Sequence, residues 1–229
     1  QAEQSGYRTV GVYAGALGYS FNTELMKRKG GLEPRCWADL LDPRFKDEIQ
    51  IADPNSSGTS YTMLATIVQL MGEDQGFDYL KKLHRNINQY TKSGAAPAKA
   101  VSLGETLIGI TFQHDAVVMA VQGGPVKIVS PCEGTGYEIG SMSIIKGAKN
   151  LENAKKWYDW ALSAEAQSIG PRGKVSFQVP SNKNAYVPEQ APKLSEVKLI
   201  NYDFAKYGST DERRRLLAKW DAEVKSLPK

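Results

Sequence analysis

A short apolar strand, a turn rich in hydroxyls and glycine, and a helix start follow one another twice within residues 46–130. That order constrains the fold more than anything else in the sequence. The first unit is Ile49-Gln-Ile-Ala52, then Asp53-Pro-Asn-Ser-Ser-Gly-Thr-Ser60, then apolar residues at helical spacing over 61–71. The second is extended over 88–91, turns through Lys92-Ser-Gly-Ala-Ala-Pro97 and opens a helix over 98–103. A third strand, Leu107-Ile-Gly-Ile-Thr-Phe112, ends at His114-Asp115 with a helix over 116–121 behind it, and 126–129 is a further strand. Strands that alternate with helices need crossover connections, so the expected class is α/β with mixed, mostly parallel sheets.

The flanks extend this pattern. Residues 10–22 are rich in β-branched, aromatic and glycine residues and read as one long strand with close backbone neighbours. A short helix over 23–29 stops at Gly30-Gly31, and a second over 36–43 ends at Pro43. Later segments read as a strand over 137–145, helices over 151–162 and 163–169, and a polar, proline-rich stretch over 171–207. Ser209 or Thr210 caps a last helix to Lys225, with Asp211 and Glu212 in its first turn, where the helix dipole favours anions. Trp157, Tyr158 and Trp160 read as a packing face, and Asp211-Glu-Arg-Arg-Arg215 as a solvated one.

Composition removes several classes. No apolar run approaches the ~18 residues of a spanning helix. The 29 Lys and Arg against 25 Asp and Glu give +4, too mild a charge to favour nucleic acid. Cys36, Cys132, His84 and His114 stand singly, without metal-ligand spacing, so neither structural zinc nor another cofactor is expected. Two cysteines fit one disulfide or two free thiols, and their separation in sequence does not choose.

Chemistry concentrates at three strand ends. At Asn55-Ser-Ser-Gly-Thr59 and Thr91-Lys-Ser-Gly-Ala95, hydroxyls and free backbone N–H groups converge before a helix, and glycine permits close approach. Either turn alone is also what an ordinary helix cap looks like; two on adjacent strands could share one tetraoxyanion beyond the strand ends. His114 and Asp115, read as strand-end residues, point to opposite faces and make a poor catalytic dyad, but their polar tips suit sugar hydroxyls. Glu133, in the glycine-punctuated stretch Cys132-Glu-Gly-Thr-Gly-Tyr-Glu138, could also bond ligand hydroxyls, whereas Glu138 reads as structural or as part of a partner surface. Catalysis has little support: the chain has no Gly-x-Ser-x-Gly elbow, Walker loop or dinucleotide fingerprint, and a triad of Ser57, His114 and an aspartate rests on no motif.

The order Asp53-Pro-Asn-Ser-Ser-Gly-Thr-Ser-Tyr-Thr62, Tyr90-Thr-Lys-Ser-Gly94, Gly109-Ile-Thr-Phe-Gln-His-Asp115 resembles the solute-binding proteins of bacterial ABC importers. The subgroup is the ferric-iron-type (type II) periplasmic superfamily, and within it the hexose-phosphate-binding branch. Pro131-Cys-Glu-Gly-Thr-Gly-Tyr-Glu-Ile-Gly140 and Trp160-Ala-Leu-Ser-Ala-Glu-Ala166 fit the same group. The resemblance implies two α/β lobes, no catalysis, a periplasmic location with the leader absent from this chain, and an ABC permease as partner. It implies that Ser56, Ser57, Gly58, Thr59, Ser93 and Gly94 hold the phosphate of a sugar such as glucose 6-phosphate, and that His114, Asp115 and Glu133 bond its hydroxyls. Phosphonate, phosphate, polyamine or ferric iron on the same fold, and a sensor role, are the alternatives. Ferric binders of the superfamily carry adjacent tyrosines, and this chain has no Tyr-Tyr pair. The periplasm also favours a Cys36–Cys132 disulfide. Residues 12–130 would form lobe 2 and 131–229 the later part of lobe 1, with 1–11 as a hinge segment. The family's long N-terminal segment has no counterpart here, so lobe 1 would be incomplete and the chain would tend to self-associate.

Overall fold

The computed structural model describes residue 3 and residues 5–228; residues 1, 2 and 4 of the expected hinge segment lie outside them. Strand β1 (Val10–Asn22) is the organising element. Its two halves serve different neighbours. Leu17 to Asn22 pair antiparallel with β4 (Ile108–Phe112) and β5 (Val126–Val129). Val10 to Ala16 pair antiparallel with β6 (Tyr137–Met142), and Tyr13 and Ala14 with β7 (Val179–Pro180). One continuous strand therefore joins two groups of strands. On the other side of β4, β2 (Ile49–Ala52) runs parallel to both β4 and β3 (Ile87–Thr91), giving the order β3-β2-β4-β1-β5. The sheet is mixed, as expected, but among its named strands only the β2 pairings are parallel; every pairing of β1 is antiparallel, so "mostly parallel" does not hold.

Helices α1 (Thr23–Arg28), α2 (Gly58–Met71), α3 (Glu73–His84), α4 (Ala96–Leu103) and α5 (Gln113–Val121) return the chain between strands. The expected helix over 36–43 is two 3-10 turns, Ala38–Leu41 and Pro43–Phe45, because Pro43 removes the donor that would continue one helix. Beyond β6 come α6 (Leu151–Ala161), α7 (Ala164–Arg172), α8 (Phe204–Tyr207) and α9 (Thr210–Trp220), with a π turn at Asp221–Lys225.

The main core joins Leu17, Tyr19 and Phe21 of β1 to Ile49, Ile51, Ile108 and Ile110 and to one face of α3 through Phe77 and Leu80. Helix α2 is buried without interruption from Ser60 to Val68, which makes it a central rather than a surface helix. Leu216, Trp220 and Val224 enter this same core. The C-terminal segment thus packs on α2 and α3. The reason is its apolar stripe, reinforced by polar ties: Arg215 and Lys219 pair with Glu73, and the Arg213 guanidinium lies 4.4 Å from the Tyr61 ring centre. The 211–215 run is therefore a docking face as well as a solvated one. Helix α6 does the reverse. It buries no residue, and Trp157 and Trp160, expected to pack, are 59% and 46% exposed.

Cys36 and Cys132 form a disulfide that ties the 3-10 segment to the loop before β6.

Candidate functional site

The carboxyl ends of β2, β3 and β4 lie side by side, and the three turns leaving them meet. Ser57 has extended backbone angles and caps α2, its Oγ accepting from the Ser60 N–H at 3.4 Å. The backbone N–H groups of Gly58, Thr59, Ser93, Gly94 and Ala95 have no acceptor among the described residues. Gly94 sits directly on the first turn: a Cβ there would lie 2.1 Å from Thr59 Oγ1 and 2.9 Å from Ser57 Oγ. Only glycine allows the second turn this close. Five of the six residues expected to hold an anion (Ser57, Gly58, Thr59, Ser93 and Gly94) therefore present unspent donors or make room for them. Ser56 does not. Its exposed hydroxyl lies 3.1 Å from the Lys92 carbonyl and 3.3 Å from that of Asp53, so its one proton fastens the two turns together.

The C-terminal segment braces the first turn from outside. Lys225 Nζ pairs with Asp53 Oδ2 at 2.5 Å, and Asn55 Nδ2 donates to Asp221 Oδ1 at 2.9 Å. Burial alone would raise the Asp53 carboxyl, but hydrogen bonds from Lys225 and Asn55 outweigh it and hold the group below its ordinary value.

His114 and Asp115 differ from expectation in a useful way. Helix α5 begins at Gln113, so they lie in its first turn and not on the strand. Adjacent helix positions diverge by about 100° instead of 180°, so both can serve one cavity. His114 is 6% exposed, stacks on Phe112 with ring centres 5.4 Å apart and packs against Gly15, where a Cβ would lie 2.7 Å from its Nδ1. That Nδ1 is buried with no hydrogen-bond partner among the described residues. Burial lowers the His114 pKa, and the partly opposing Asp115 carboxylate, 3.7 Å from Nε2, does not restore it. The ring is neutral at pH 7 and keeps one donor and one acceptor.

Glu133 is placed elsewhere. Its Oε2 accepts from the Trp37 N–H at 2.8 Å and its Oε1 from the Ala38 N–H at 2.9 Å. It caps the 3-10 turn next to the disulfide, each oxygen accepting from one backbone N–H, and no hydrogen bond or ion pair joins it to His114 or Asp115 among the described residues. Glu138, read as structural from sequence, takes up a position suited to bonding ligand hydroxyls. It pairs in register with Gly15, the residue packed against His114, and accepts from the Tyr13 hydroxyl at 3.3 Å. Burial raises the Glu138 carboxyl, Tyr13 offsets part of this, and Asp115 adds to it. Burial, with Glu138 next, pushes the Tyr13 phenol up to about 12. Tyr13 also meets His114 edge-on at 6.3 Å. No local signal in the sequence marks Glu138; its place follows from the register of β6 with β1.

No histidine hydrogen-bonds a serine of 56–60 among the described residues, so the geometry offers no hydrolytic dyad. The one grouping of candidate metal ligands among them, Cys36, Cys132 and Glu133, has both sulfurs in the disulfide and its carboxylate capping a turn. What remains is a wall of neutral anion donors beside a neutral imidazole and two carboxylates.

The sequence model for bacterial extracellular solute-binding proteins matches residues 2–207. The chain belongs to this family. An uncharacterised Haemophilus influenzae protein is 49% identical over 98% of this chain and 65% of its own length. A putative 2-aminoethylphosphonate-binding periplasmic protein of Salmonella typhimurium is 30% identical over 66% of this chain and 46% of its own. Among solved structures, the periplasmic binding protein AfuA of Actinobacillus pleuropneumoniae, with fructose-6-phosphate bound, superposes with a TM-score of 0.93 at 52% identity, over 97% of this chain and 70% of its own. The chain thus has the type II periplasmic-binding-protein fold and spans about two thirds of the length of the first two of these similar proteins at most. The family binds solutes and is not enzymatic.

Proposed function

We propose that this chain is the solute-capturing component of an ABC importer outside the cytoplasmic membrane, and that its cargo is a phosphorylated sugar. The observation that carries this reading is the contact of the Ser57–Thr59 and Ser93–Gly94 turns through Gly94, beside His114 and Asp115. Four or five hydrogen bonds to a phosphate at about 1.5–3 kcal/mol each offset its desolvation. His114, Asp115 and Glu138 then read the hydroxyls, the carboxylates accepting from them. The fructose-6-phosphate bound to AfuA supports this cargo class. Closure of strands β6 and β7 toward the β2–β4 turns about β1 would cover the ligand, and an ABC permease would recognise that state. Micromolar capture needs about −8 kcal/mol, within reach of these contacts.

A phosphonate is the second reading, favoured by the Salmonella relative and served by the same oxyanion turns. A polyamine would need several free carboxylates at the phosphate turns, where donors stand instead. Isothermal titration with fructose 6-phosphate, glucose 6-phosphate, glucose, inorganic phosphate and 2-aminoethylphosphonate separates these. Saturable binding of a phosphosugar, much weaker with glucose or phosphate alone, is the expected result. Preference for the aminophosphonate, or no binding of any phosphosugar, refutes the sugar-phosphate assignment.

A further inference from the structure

Thr111, in β4, is fully buried and paired across the sheet with Gly18. A buried β-branched position is filled as well by valine, so a hydroxyl there calls for a partner. Thr111 has two. Its Oγ1 lies 2.8 Å from the Gly94 carbonyl oxygen and 3.2 Å from Asp115 Oδ2. Gly94 belongs to the turn with unspent anion donors, and Asp115 to the pair that faces sugar hydroxyls.

We propose that Thr111 is a positioning residue that couples the anion-holding turn to the hydroxyl-reading carboxylate, so that the two halves of a sugar phosphate are recognised as one ligand. The inference rests on the sugar-phosphate reading for its ligand and on geometry for the link. One hydroxyl has one proton and two competing acceptors. While Asp115 is an unliganded carboxylate it is the more strongly charged acceptor. When a ligand hydroxyl donates to Asp115, part of that charge is satisfied and the Thr111 proton goes fully to the Gly94 carbonyl. That carbonyl shares a peptide unit with the Ala95 N–H, one of the donors without an acceptor among the described residues. Hydrogen bonding at one end of a peptide unit polarises the other, so the N–H becomes a better donor to an anion. Hydroxyl recognition then strengthens phosphate recognition through a single buried side chain, with no movement of the sheet.

The test is a double-mutant cycle on Thr111→Val and Asp115→Asn, read by titration with fructose 6-phosphate. Thr111→Val weakens binding about tenfold in the wild-type background and less than about threefold in the Asp115→Asn background, since the link is already broken there. Thr111→Ser restores the hydroxyl and returns affinity to within about threefold of wild type. Equal losses from Thr111→Val in both backgrounds, or no rescue by serine, overturn the proposal. Amide hydrogen exchange on the ligand-free protein gives a readout independent of cargo. Asp115→Asn changes exchange at Ala95 when Thr111 is present and leaves it unchanged in Thr111→Val; identical responses with and without the hydroxyl overturn the link. If the wild-type protein binds no phosphosugar, the cargo reading fails and the exchange experiment still decides the coupling.

Discussion

Gly94→Ala tests the close approach on which the candidate site depends. The added Cβ would lie 2.1 Å from Thr59 Oγ1, 2.6 Å from Thr59 Cβ and 2.9 Å from Ser57 Oγ. Comfortable contact between heavy atoms begins near ~3.5 Å, so one turn must retreat by about 1 Å. Rotating Thr59 relieves the Oγ1 clash but not the one with Cβ, which is fixed to the backbone of α2. Overpacking of this kind costs about 1–3 kcal/mol of stability. The effect on binding is larger, because the retreat separates donors that must reach one anion. Losing one hydrogen bond to a charged group, at about 1.5–3 kcal/mol, weakens binding by about 10- to 100-fold. Gly58→Ala is the internal control: a Cβ at Gly58 meets nothing within 4 Å, so its thermal stability stays within about 1 kcal/mol of wild type. Differential scanning calorimetry and titration with fructose 6-phosphate on both variants give the answer. A Gly94→Ala protein as stable and as tight-binding as wild type refutes the claim that the two turns share one site.

Four further outcomes follow from the same structure. Glu133→Ala removes the acceptor of the Trp37 and Ala38 N–H groups and lowers stability by about 1–2 kcal/mol with unchanged ligand affinity; a selective loss of affinity would return Glu133 to the binding site. Reducing the Cys36–Cys132 bond, which closes a loop between residues 96 apart, lowers the unfolding free energy by about 2–4 kcal/mol, checked by denaturant titration with and without reductant. Stability falls with acid in two windows: His114, depressed by burial, contributes above its ordinary value of 6.5 and loses that contribution as pH falls through its lowered one; Glu73, held at about 2 by hydrogen bonds from Arg215 and then Lys219, contributes above 4.5 and loses its share as pH falls toward 2. The Glu73 share is about 1 kcal/mol once solvent screening is allowed for, and Glu73→Gln shrinks the lower window by that share, leaving what the lowered Asp53 carboxyl contributes. The exposed apolar side chains of α6 predict concentration-dependent association, which light scattering detects and Trp157→Lys with Trp160→Lys suppresses; a monomer at all concentrations refutes this.

The two strand-turn-helix units needed no tertiary information. Ser57 and Ser93 stand where apolar alternation gives way to helical spacing, and hydroxyl and glycine residues at such a boundary leave donors free whatever the surrounding fold. The limits of β1, β2 and the last helix cap were legible for the same reason, since alternation, glycine and capping residues act over a few neighbours. Glu133 and Glu138 were not separable this way. They are five positions apart in one glycine-punctuated stretch, and both are carboxylates. One accepts from the N–H groups of Trp37 and Ala38, nearly a hundred residues earlier; the other bonds Tyr13 and stands opposite Gly15, against which His114 packs, only because β6 pairs with β1 in a particular register.

Sequence alone determined the limits of β1 and β2, the cap of the last helix, and that a hydroxyl- and glycine-rich turn precedes a helix after β2 and again after β3, because these depend on residue type and local spacing. Tertiary structure decided that Gly94 presses against Thr59, that Thr111 stands between Gly94 and Asp115, that the C-terminal segment braces the first turn, and that Glu138 stands opposite Gly15 beside Tyr13. Those facts depend on contacts between residues far apart in the chain, which the pairing of β2 with β3 and β4, the register of β1 with β6 and the docking of the C-terminal segment bring together.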